Sequence, residues 1–185
     1  MIAKFVFYIV LVVIIQVKAK AEDEVPTSIK ELQHFFGDGT SIHVTNAFYE
    51  DLDSEQGLEA QAKTALRKHS AVNDWIGGDE HTSTFVHNMR LISETKIEKE
   101  EDLKVLKTKL YTPEDFQTEL LMDGLLNNRD DSEEATAAFD KSFITLDNSM
   151  VQLYYTDDGG QMSGVVVAAK RKHSPHAVYL IFVMD

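Results

Sequence analysis

Seven histidines stand among 31 aspartates and glutamates and 18 lysines and arginines, with no cysteine. Thiolate nucleophiles and cysteine-ligated metals are therefore excluded, and metal or proton-transfer chemistry falls to imidazole and carboxylate. One grouping is Asp79, Glu80, His81 and His87, two carboxylates and two imidazoles close together in the chain. These residue types form the ligand set of a metal-dependent hydrolase. On a strand, positions 81 and 87 share a face but lie about 20 Å apart at roughly 3.3 Å per residue, so one metal could hold both only if the strand bends. Solvated histidines at a strand start are the simpler reading.

A second grouping is Lys170-Arg171-Lys172-His173-Ser174-Pro175-His176. The spacing of His173 and His176 suits chelation on a tight turn, but three neighbouring cations oppose a divalent ion and favour an anion or an acidic partner. The plainer alternative is a solvated hairpin tip whose charges discourage edge-to-edge pairing. His69 falls on the apolar line of a helix, where a neutral imidazole bonded to a backbone carbonyl is expected. There is no G-x-S-x-G, P-loop, G-x-G-x-x-G or H-E-x-x-H, and no cofactor is called for. Asp157-Asp158-Gly159-Gly160 lacks the spacing and closing glutamate of a calcium loop and reads as a turn.

The elements that must carry these residues follow from pattern. Residues 1–21 have a lysine, a short apolar run and an A-x-A ending, the parts of a cleavable secretory signal peptide. The run from Phe5 to Val17 is short of the roughly 20 residues of a bilayer-spanning helix, so no stable membrane insertion is expected after cleavage. Export to a secreted or periplasmic location follows. Cleavage would remove Lys4, Lys18 and Lys20 and make a formal charge of −13 still more negative. Such a charge repels nucleic acid and anionic membranes.

Residues 22–27 read as a flexible leader and residues 28–185 as a single α+β domain. Ser28 with Glu31 has capping-box spacing before the stripe Ile29, Leu32, Phe35 and Phe36, and the helix stops at Gly37. Ile42, Val44 and residues 46–49 read as a short strand or an extended connection. Asp53 to Gln56 caps a helix through Leu58, Ala62, Ala65, Leu66 and His69 that reaches Trp75 and Ile76. Residues 82–97 alternate like one long or two bent strands, and 103–111 like another. Thr112-Pro113-Glu114-Asp115 predicts a helix start with Phe116, Leu120, Leu121 and Leu125 buried, and Asp131 with Glu134 caps a helix through Phe139.

Residues 143–146, 150–156, 165–169 and 177–184 then read as strands of a C-terminal β-meander. Valines 165 to 167 and residues 178–183 are apolar without alternation, so both faces of these strands need cover. The predicted architecture is an antiparallel sheet of about five to seven strands with helices packed on one face. A second layer, a partner or an apolar ligand would cover the other.

These residues predict an exported, soluble, non-enzymatic binding or interaction protein. Its candidate contact surfaces are an apolar sheet face or pocket for a protein or small apolar ligand, and the Lys170, Arg171, Lys172, His173 and His176 loop for an anionic group. The alternatives are a homo-oligomer that buries the apolar sheet face, or the His/carboxylate hydrolase.

Overall fold

A computed structural model describes residues 24–40, 44–53, 55–73 and 78–184, with side chains in the last stretch from residue 81 onward. The predicted signal peptide, the first two leader residues, Ile42 and the Trp75-Ile76 helix extension lie outside the described residues. No helix among the described residues is long and apolar enough to cross a membrane.

Helix α1 (Thr27–Phe36) buries Ile29, Leu32 and Phe36, spaced to fall on one face. Its predicted capping box does not form. The Pro26 carbonyl opens the helix by accepting the Ile29 and Lys30 amides. Ser28 lies inside the helix rather than at its cap, and Glu31 pairs with Lys141 of a later helix at 2.8 Å; the Ser28 carbonyl accepts from Ser142 Oγ of that helix at 2.9 Å. Gly37, at φ 83°, takes the left-handed turn that ends α1. Strand β1 (Thr45–Asp51) follows, then helix α2 (Gly57–Val72), with the Asp53 carboxylate accepting the Glu55 amide at the turn before it.

Two segments predicted as strands are helices. Residues 78–88 form α3 (Gly78–Asn88), because Phe85, Val86 and Met89 fall on one helical face that is buried; only Arg90–Lys96 form the strand, β2. Residues 100–111 form α4 (Glu100–Tyr111), where Leu106 and Leu110, four apart, are buried and Val105 is exposed. The Asp102 carboxylate caps this helix by accepting the Glu98 and Lys99 amides at 2.8 and 3.0 Å. Those bonds hold its pKa below the ordinary value.

Helix α5 (Phe116–Leu126) starts three residues later than Pro113 predicts. Thr112 serves as the C-cap of α4, and Asp115 caps α5 by accepting the Thr118 amide and hydroxyl. Leu121, Met122, Leu125 and Leu126 are its buried face; Phe116 and Leu120, predicted inside, are 69% and 56% exposed. Helix α6 (Ser132–Phe143) absorbs Phe143, and residues 144–147 turn the chain into the next strand, so the strand predicted at 143–146 does not form. Asp131 makes no side-chain cap because its carboxylate is held by Arg129.

Strands β3 (Asn148–Asp157), β4 (Ser163–Arg171) and β5 (His176–Met184) form the expected meander within a five-stranded antiparallel sheet of order β1-β5-β4-β3-β2. The fold is α+β. Helices cover both faces, where the sequence placed them on one. Leu153, Tyr155, Val165, Val167, Val178, Leu180 and Phe182 pack under α1, α4, α5 and α6, while Tyr154, Val166, Ala168, Tyr179, Ile181 and Val183 pack under α2 and α3. The non-alternating strands are thus explained by a second helical layer from the same chain. Segment 82–88, taken for strand, is part of that missing layer.

The two sheet edges are blunted. On β1, the Ala47 amide donates to the Gly37 carbonyl at 2.8 Å and its carbonyl accepts from Gln33 Nε2 at 3.1 Å. On β2, Lys109 Nζ occupies the Glu94 carbonyl at 2.8 Å and the register shifts between Leu91 and Ser93. Covered carbonyls, a lysine and a bulge are devices that stop a sheet from adding strands.

Candidate functional site

The β4–β5 hairpin carries the predicted basic cluster at one end of the two strands. Register pairs Lys170 with Ala177, so residues 171–176 close the turn. Lys170 and His173 are exposed and Lys172 is half-buried, its amide fixed on the Asp147 carbonyl at 2.8 Å. Lys30, Lys63, Lys68, Arg90, Lys99, Lys107, Arg129 and Lys141 each hold a carboxylate. Lys170 and Lys172, like Arg67, Lys96, Lys104 and Lys109, have none within salt-bridge distance among the described residues; Lys172 exerts only a longer-range pull on Asp102.

Arg171 is a structural residue, buried against the sheet with Nη1 donating to Asn148 Oδ1 at 2.9 Å. The fully buried Asn148 amide in turn donates to the Ser142 and Phe143 carbonyls at 3.0 and 2.9 Å, satisfying the end of α6. Asn148→Leu removes both donors and leaves two carbonyls and a guanidinium unpaired in the interior. A loss of about 2–4 kcal/mol in urea unfolding is expected. An unchanged midpoint would mean that water replaces these bonds.

His176 also has a local task. Its Nε2 lies 3.0 Å from Asp51 Oδ1, its Nδ1 3.0 Å from Ser174 Oγ, and the Tyr49 ring stacks on it at 4.6 Å and 12°. Ser174 Oγ also accepts the His176 amide at 3.1 Å and lies 3.3 Å from the Tyr49 hydroxyl. The serine–imidazole–carboxylate order has the proton connectivity of a nucleophilic triad. Here the serine oxygen is engaged by the His176 amide and faces the tyrosine hydroxyl, and the Asp51 side chain is 85% exposed. The arrangement acts as a clasp: together with the Leu52 amide on the Pro175 carbonyl, it ties the end of β1 to the hairpin. His173 and His176 consequently serve different surroundings. Ser174, Asp51 and Tyr49 were not found from sequence because their meeting depends on the β1–β5 register, which sets Asp51 against His176.

Of the metal candidates, His81 and His87 lie on α3 rather than on a strand. Six helical residues separate them by about 9 Å along the axis and about 120° around it. Both are exposed, and His81 Nδ1 stands 3.7 Å from Asp158 Oδ2. The side chains of Asp79 and Glu80 lie outside the described residues. Among the described residues, no group of three or more histidines, aspartates or glutamates gathers as a metal site.

His69 is fully buried, and burial lowers its pKa to about 4, so the ring is neutral near pH 7. Its Nδ1 accepts from Asn46 Nδ2 at 3.0 Å, a side-chain partner in place of the expected backbone carbonyl. As for a pocket, a groove of about 750 Å³ runs past Val44, Leu125, Phe182 and Met184 to Arg129. The guanidinium there is already committed to Asp131 and the Phe35 carbonyl, so the groove offers an anion little free charge.

No protein-family model, curated protein or solved structure matches this chain.

Proposed function

We propose that the chain is an exported, non-enzymatic binding protein that meets its partner through the β4–β5 hairpin tip. The partner surface is a short acidic segment of another protein, contacted by Lys170 and Lys172 with His173 beside them. The observation that carries this reading is that, among the described residues, two lysines without a carboxylate partner flank one residue at the end of a fixed hairpin, whereas Arg67, Lys96 and Lys104, which also lack one, stand singly along the chain. A small cation pair on a tip held by the Asn148–Arg171 and Asp51–His176 contacts can grip a few acidic side chains. A long polyanion is disfavoured, because a formal charge of −13 repels the remainder of its length. Both sheet faces are covered from within the chain, so an apolar sheet face is not offered to a ligand or a second copy.

Titration with a short peptide carrying a few glutamates, followed by amide NMR, tests the surface. Shift changes are expected at residues 170–174, fading as salt rises, and Lys170→Ala with Lys172→Ala should weaken binding roughly tenfold, as loss of two exposed ion pairs implies. Changes centred elsewhere, or affinity indifferent to both substitutions, would remove the tip from the account.

A further inference from the structure

Nothing in the clasp or the hairpin uses the most deeply placed titratable side chain, His69. The Asn46 carbonyl oxygen accepts the Gly39 amide at 2.9 Å, which orients the other end of that side chain, Nδ2, as a donor to His69 Nδ1. Asn73 Nδ2 stands 3.4 Å from the same nitrogen and donates to the His69 carbonyl at 2.9 Å. With donors converging on Nδ1, the ring proton sits on Nε2, which is buried without a hydrogen-bond partner among the described residues. Asn46, Asn73 and His69 are all fully buried. Through them α2 holds β1 and the turn that follows α1 in one polar knot.

We infer that His69 is an acid-sensitive latch: protonation turns its acceptor nitrogen into a donor facing the Asn46 amide and releases residues 37–40 and edge strand β1 from α2. A proton on Nδ1 sets N–H against N–H and buries a charge that already lacks one partner, so the knot must open for the ring to reach water. The groups facing the ring from β1 and the helix end, Asn46 and Asn73, are uncharged. Nearby charges are engaged elsewhere: Lys68 on α2 with Glu50 of β1, and Asp38 on the turn with the Thr40 amide and hydroxyl. Burial alone lowers the pKa of His69, with no contribution from any of them.

The sign follows from that depression. The closed form binds fewer protons than the open one, so opening is favoured as pH falls from about 6.5 towards about 4 and is unaffected above that window. At pH 5 the open population should rise about thirtyfold over its value at pH 8. Two amides report the opening directly: Gly39, bonded to Asn46 Oδ1, and Ala47, bonded to the Gly37 carbonyl.

Hydrogen exchange of the full chain at pH 8 and pH 5, corrected for the intrinsic chemistry, is the test. Protection at Gly39 and Ala47 should fall about thirtyfold, while Val166 and Leu180 in the central strands stay protected. His69→Gln, which does not titrate, should flatten the pH dependence. Should that variant fail to fold, the ring ¹⁵N resonances of the unaltered chain serve instead, with Nδ1 unprotonated at neutral pH and titration accompanying the loss of protection. Protection independent of pH, or a uniform loss across the sheet, would overturn the latch.

Discussion

Leu180→Ala is expected to lower unfolding stability by about 2–5 kcal/mol, and Ile181→Ala, at the next position, by a similar amount. Both residues are fully buried on β5 but point to opposite faces, Leu180 into the cluster beneath α1, α4, α5 and α6 and Ile181 into the one beneath α2 and α3. Each truncation removes three aliphatic carbons from a packed site, and the partly collapsed cavity adds to the transfer cost. A sheet with helices on only one face would pay this cost at one position alone. Urea midpoints for the two variants therefore measure whether the chain covers its own sheet. A small effect at Ile181 would mean that α2 and α3 are loosely held and that the second face is accessible after all.

Gly164→Ala should be similarly damaging despite adding a single methyl. A Cβ there would lie 2.5 Å from the Phe182 carbonyl oxygen and 2.9 Å from Val183 Cγ2, and Gly164 pairs with Val183 in the sheet. Backbone cannot swing aside as a side chain does, so β4 and β5 must separate locally and their ladder bonds weaken. A loss of roughly 3 kcal/mol is expected, at the upper end of overpacking costs. Gly124→Ala on α5 is the contrast: its Cβ would meet only Phe182 and Met184 side-chain atoms at 3.6 Å or beyond, an ordinary contact. There the helix preference for alanine should raise stability by up to about 1 kcal/mol. Denaturation of the two variants under one set of conditions should give opposite signs; equal signs would mean that β4 and β5 accommodate the added methyl without separating.

The meander was legible because residues 150–156, 165–169 and 177–184 are apolar, rich in β-branched residues and separated by turn residues. The demand for cover on both faces was legible for the same reason. The source of that cover was not. Phe85, Val86 and Met89 can be listed by parity as readily as by helical turn, and Leu103, Val105 and Tyr111 alternate with polar residues although Leu106 and Leu110 set the helical face. Short amphipathic stretches satisfy both periods, and tertiary packing chooses between them. Cap positions slipped for a related reason. Ser28, Glu31 and Asp131 have the right types for caps, but Ser28 falls inside a helix that Pro26 already opens, while Lys141 takes Glu31 and Arg129 takes Asp131.

At the hairpin, the cluster of cations was visible, whereas the division of labour within it was not. Lys170, Arg171 and Lys172 read alike in sequence, yet strand alternation turns Arg171 inward to Asn148 and leaves its neighbours unpaired. His173 and His176 likewise look like a pair until the β1 register assigns His176 to Asp51.

The proposed binding role of this tip is tested most directly by placing a photo-cross-linking residue at position 173 and, separately, at the exposed Val105 or Phe116, then irradiating the chain in an extract of its own source. Cross-links to one protein are expected from position 173, mapping to an acidic segment of that protein and lost in the Lys170→Ala, Lys172→Ala background or at high salt. Cross-links from 105 or 116 with none from 173 would contradict the account and move the contact surface to the exposed apolar residues of α4 and α5.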